Sequence, residues 1–108
     1  MSQYKDQFQV LLPLREAEVA VKEAVANCGW GVKEQVPGRI VPRIGVGLTR
    51  NPSKIEIGMS ENGEAETTIT LHGKITGMGP VQKRHITAEV GKLRNAIDVA
   101  VYHAESAE

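Results

Sequence analysis

The sequence predicts an α+β fold. It is a β-α-β4-α chain whose five-stranded antiparallel sheet, in the order 1-5-4-3-2, carries both helices on one face. Three observations lead there. Several short segments alternate apolar and polar residues, as strands do when one sheet face is covered and the other meets water. Two segments repeat apolar residues at helical spacing, and both need that covered face. Turn signals separate four strands between those two helices. Placing the last strand beside the first, with the first helix crossing to the far edge, makes every neighbour antiparallel.

The first strand is FQVLL, residues 8–12, with Phe8, Val10 and Leu12 on one side. Pro13 suits the first turn of a helix, where its missing N–H is no loss. In LREAEVAVKEAVANCG, Leu14, Ala17, Val21, Ala24, Val25 and Cys28 share one helical face. Glu16 sits at the favourable end of the dipole, and Gly29 is the stop. WGVKEQV alternates as a second strand, with Trp30, Val32 and Val36 inward. Pro37 and Gly38 mark a type II turn. RIVPRIGV returns with Ile40 and Ile44 on one face, and Pro42 predicts a bulge or interrupted pairing. GLTRNPS is a loop. KIEIGM places Ile55, Ile57 and Met59 inward. Asn62 and Gly63 carry the signal of a two-residue hairpin. ETTITLHGKI follows, with Ile69, Leu71 and Ile75 inward and Thr68, Thr70, His72 and Lys74 outward. Gly77, Gly79 and Pro80 form a hinge into the last helix. There Ile86, Val90, Leu93, Ile97, Ala100 and Ala104 recur at alternating steps of four and three. Gly91 lies off that stripe, either beneath another backbone, as in a contact between subunits, or merely tolerated.

The 108 residues suit a single domain, 1–108, with residues 105–108 a frayed tail. Thirteen Lys and Arg balance thirteen Asp and Glu, and aromatics make up 4%, so phosphate neutralisation and base stacking have little to draw on and nucleic acid is not expected. Cys28 is the one cysteine, so no internal disulfide forms. It reads as a small core residue. The N-terminus has no apolar signal region and no apolar run could span a bilayer, so a soluble cytoplasmic chain without membrane contact is expected.

At this point the pattern resembles known proteins. β-α-β4-α with a long final helix over the sheet is similar to the TATA-binding-protein-like group of folds, which includes helix-grip domains, here shortened. CGWGV at the helix-to-strand junction and GMGPVQKRHITAEVGKLRNAI at the C-terminus resemble small bacterial proteins, often actinobacterial, with no assigned activity. The resemblance therefore implies a fold and transfers no functional residues.

The chemistry-bearing residues form no catalytic, metal or cofactor motif. His72, His85 and His103 are never spaced i, i+4, and His85 and His103 stand too far apart on one helix to share an ion. No serine stands in GxSxG. Glu89, one turn after His85, is expected to make a surface pair with it. The GVG at 45–47 and GMG at 77–79 are not phosphate loops; their glycines supply bends. An enzyme is therefore not expected, and no cofactor. Three non-enzymatic readings stay open. One is an interaction or structural module, self-associating through a sheet edge or its helices. Another is a carrier of a small apolar ligand in a cavity lined by Trp30, Met59, Leu71, Met78 and Leu93. The third is an anion site at a basic rim: residues 35–55 and 67–88 contain no acid. The topology brings Arg50 and Lys54 toward Lys83, Arg84 and His85 at the N-terminus of the last helix.

Overall fold

The elements run β1 (Ser2–Val10), α1 (Leu14–Asn27), β2 (Gly31–Val36), β3 (Arg39–Arg43), β4 (Ser53–Glu61), β5 (Thr67–Ile75) and α2 (Pro80–Ser106). The computed structural model describes residues 2–44, 53–75 and 80–106. Arg50, Met78 and the glycines at 45, 47, 77 and 79 lie outside the described residues, as do Ala107 and Glu108. The strands form one sheet in the order β1-β5-β4-β3-β2, and each pairing is antiparallel, as the patterns require.

β1 begins at Ser2, before the predicted Phe8. Its covered face carries Tyr4, Asp6, Phe8 and Val10, opposite Gly73, Leu71, Ile69 and Thr67. The charge at Asp6 hides this alternation from an apolar count. β1 ends at Val10, and the buried Leu12 lies in the connection, its carbonyl accepting a 2.8 Å bond from the buried Thr67 hydroxyl. Pro13 takes the N-cap of α1. The predicted stop holds in detail: Gly29 has φ +80°, Trp30 N–H donates to the Val25 carbonyl and Gly29 N–H to that of Ala26, a Schellman closure.

Two strand expectations are corrected. Val32 and Val36 do not both point inward. The β2–β3 register slips between Val32 and Glu34, opposite Pro42 and Val41. One extra residue reverses the alternation. Val32 then shares the face of Pro42, while Val36 shares that of Arg39, and both valines remain exposed. This is the irregularity Pro42 predicts, and its effect reaches the whole of β2. Nor is the β4–β5 hairpin a two-residue turn. The strands pair out to Glu61 and Thr67, and Asn62 N–H closes onto the Glu66 carbonyl at 2.8 Å. A two-residue turn at Asn62 and Gly63 would set Ile57 across from Thr68 and Met59 across from Glu66. The observed register sets Ile57 across from Leu71 and Met59 across from Ile69. Burial of that paired apolar face outweighs the local turn preference.

α2 packs on β1 and β5, and α1 on β4 and β2. Ile86, Val90, Leu93 and Ile97 of α2 meet Val21 and Val25 of α1 and the isoleucines of β4 and β5 in one core. Each such buried side chain contributes roughly 1.5–3 kcal/mol. α2 comes so near β5 at Gly73 that a Cβ there would stand 2.7 Å from Val90 Cγ2. Gly91 is the opposite case: a Cβ would meet nothing within 4 Å. Gly91→Ala is therefore expected to raise stability by roughly 0.5–1 kcal/mol, the helix-propensity difference, measured by urea denaturation. A loss of stability in the variant would mean that another backbone does come close.

Candidate functional site

β4 begins, β5 ends and α2 takes its early turns at one end of the sheet. Extending the β4 alternation one pleat before Ile55 puts Ser53 on the covered face, directly across from Ile75. Helical spacing puts His85 and Glu89 one turn apart beside the apolar stripe of α2. The fold joins the three. Ser53 Oγ donates to Glu89 Oε2 at 3.2 Å, and His85 Nε2 lies 2.6 Å from Glu89 Oε1. Glu89 is 9% exposed, and its neighbours Ile86 and Val90 are fully buried. The expected surface pair is thus a largely buried one, with a correspondingly larger penalty for removing either partner.

The order of the three groups limits their chemistry. A nucleophilic triad places the imidazole between hydroxyl and acid. Here the acid lies between imidazole and hydroxyl, which is not that order. What the arrangement holds is a carboxylate–imidazole pair at the end of an apolar core, suited to bonding a polar group and to accepting or passing on a proton.

Lys54 points to the uncovered face and pairs with Glu56 at 3.3 Å. Lys83 donates to the Gln3 carbonyl of β1 and lies 5.7 Å above the Tyr4 ring, tying α2 to the sheet edge. Arg84 is exposed. Met59, Leu71 and Leu93 are buried, the last two completely, so no water-sized space touches either leucine. Trp30 is partly buried against the core, with Lys92 Nζ 5.5 Å from its ring centre. Burial pushes the Cys28 thiol above its ordinary value, against an opposing pull from Lys92.

Neither Ser53 nor the inward Asp6 is marked by the apolar pattern of the sequence. Asp6 receives Arg94 Nη1 at 2.8 Å while the same guanidinium stacks 3.7 Å from the Phe8 ring centre, so the acid serves to dock α2 onto β1. Among the described residues no three His, Cys, Asp or Glu side chains are grouped to hold a metal ion, and no helix is long and apolar enough to cross a membrane.

No protein-family model and no curated protein matches the sequence. Solved structures do match in fold. The di-domain aromatase/cyclase BexL from the BE-7585A biosynthetic pathway aligns with TM-score 0.65 and 16% identity over 95% of this chain. The chain spans 46% of that protein, about half its length. An uncharacterized protein from Bacillus thuringiensis aligns with TM-score 0.58 and 10% identity over 95% of this chain and 98% of its own. A protein from Thermobifida fusca aligns with TM-score 0.54 and 12% identity over 90% and 91% of the two chains. The likeness is one of fold: a small α+β domain with two helices on a five-stranded antiparallel sheet. These matches correct one expectation. The lack of a catalytic motif does not make this a non-enzymatic fold, because half of an aromatase/cyclase is built on it. The physical reason is visible in the cluster itself: Ser53 and Glu89 meet across 36 residues of sequence, so groups assembled by this fold leave no linear motif.

Proposed function

We propose that the chain binds a small, largely apolar compound at the Ser53 end of its core, where the His85–Glu89 pair hydrogen-bonds the compound's hydroxyl or carbonyl group and is placed to exchange a proton with it. Glu89 carries this reading. A carboxylate set among fully buried Ile86 and Val90 is a poor choice for stability alone, since taking such a charge out of water costs several kcal/mol before pairing offsets it. An apolar residue would continue the stripe at lower cost. The shared fold adds support, since a domain of this architecture occurs in an aromatase/cyclase. The full burial of Leu71 and Leu93 favours the end of the core over its centre.

The test is a titration with 2-naphthol followed by NMR of the His85 ring and the backbone amides near it. Saturable shifts at His85, Ile86 and Glu89 are expected. Glu89→Gln, which keeps the shape and removes the charge, is expected to weaken binding about tenfold, the loss of one charge-assisted hydrogen bond. A probe that leaves His85 and Glu89 unmoved up to its solubility limit would sink the reading.

A further inference from the structure

The uncovered face of the sheet has a chemistry of its own. Register and alternation put Lys5 of β1, Lys74 and His72 of β5, Lys54 and Glu56 of β4, Arg39 and Arg43 of β3, and Glu34 of β2 on that face. Cations outnumber carboxylates there, although the chain as a whole is neutral. The balancing acids stand elsewhere, with Glu61, Glu64 and Glu66 gathered at the β4–β5 hairpin. Charge is thus segregated by the fold and invisible in the totals.

Within this face lies a dent. Gly58 pairs with Arg39 on one side and Thr70 on the other, and it has no side chain to fill the row. A Cβ added at Gly58 would meet nothing within 4 Å. Lys5, Arg39, Glu56, Thr70 and His72 surround the resulting concavity of about 240 Å³. Glu56 does not make it acidic. Its carboxylate is held by Lys54 at 3.3 Å and Arg39 at 3.6 Å, and Arg39 also meets Glu34 at 3.1 Å, so an anion in the dent has to draw Arg39 from these two surface carboxylates. The hydrogen bond from Lys54, with the charges of Lys74 and Arg39, holds its carboxyl below the usual range, which marks the local field as positive. His72 is held in place by a 2.8 Å bond to the Gln3 side chain.

We propose that this dent over Gly58 binds the phosphate group of a small monoester through Lys5, Arg39 and Thr70. The three donors come from three different strands and line the same dent. That suits the three terminal oxygens of a tetrahedral phosphate better than the two oxygens of a flat carboxylate. Backbone exposed at Gly58 lets the anion sit low between the side chains. The site lies on the opposite face of the sheet from the His85–Glu89 pair, so either can fail without the other.

The experiment is an amide NMR titration of the full chain with inorganic phosphate and with glycerol 3-phosphate, at constant ionic strength, with chloride as the control. Saturable shifts confined to Lys5, Arg39, Gly58, Thr70 and His72 are expected with both phosphates and absent with chloride. Gly58→Leu fills the dent without touching the core and is expected to weaken binding at least about tenfold, with the thermal midpoint kept. Arg39→Gln is expected to do the same by removing a donor. Shifts spread over all exposed lysines, or Gly58→Leu and Arg39→Gln both titrating like the parent, would overturn the proposal.

Discussion

Gly73→Val is expected to destabilise the fold by about 3 kcal/mol and to lower the thermal midpoint by on the order of 15 °C. The closest approach of α2 to the sheet causes this. A Cβ at Gly73 would stand 2.7 Å from Val90 Cγ2 and 2.8 Å from Ile86 Cγ1. Both neighbours are β-branched residues in a helix, each with one strongly preferred χ1, so neither can swing aside. They are fully buried, so the helix must lift or the strand must bend. Valine is otherwise the better strand residue, and its propensity gain of at most about 1 kcal/mol pulls the other way without matching the clash. Calorimetry of the single variant and of Gly73→Val with Val90→Ala checks the cause. Making room at 90 is expected to recover part of the loss. Additive losses in the double variant would show that the clash is not with Val90.

Leu93→Ala is expected to cost about 2–5 kcal/mol, the range for a fully buried leucine. Leu93 lies at the centre of the α2 stripe and belongs to the same core as Leu71 and Met59. Its removal leaves a void lined by apolar groups, which stays dry and can take an apolar guest. Benzene is therefore expected to raise the thermal midpoint of Leu93→Ala and to leave that of the parent unchanged, because ligand binding to the folded form alone shifts the equilibrium. Leu93→Met, which keeps volume, is expected to cost less than about 1.5 kcal/mol. A benzene response in the parent would mean that the core already holds such a space. The measurement thus distinguishes a filled interior from a ligand chamber directly.

The fold was legible because periodicity and burial express one constraint. Ile55, Ile57 and Met59 alternate because one sheet face is dry, and Ile86 to Ala100 repeat at helical steps because α2 lies along it. Once both helices need the same face, the strand order has few solutions. The failures came where a single residue shifts a register. One bulged position in β2 moves Val36 to the other face. At the hairpin, the Asn-Gly signal is local, whereas register is decided by all the facing pairs together. Asp6 was missed for a related reason: a charged side chain on a covered face is tolerated only because Arg94, 88 residues away, reaches it.

The candidate site was half legible. His85 and Glu89 are one helical turn apart, so their pairing follows from the sequence. Their burial does not, because it depends on how near β4 comes to α2. Ser53 could have been found by extending the strand one pleat. The role of Gly73 could not, since a glycine's meaning lies in the atoms opposite it. The amino-acid sequence by itself determined the element order, the antiparallel sheet and which residues face the core, because these follow from short-range geometry and hydrophobic burial. Only the tertiary structure decided that a carboxylate at Glu89 is buried between a serine and a histidine, and that a neutral chain sets more cations than carboxylates on one open face. Those properties arise between residues far apart in the chain, where distance and solvent exposure are set by packing alone.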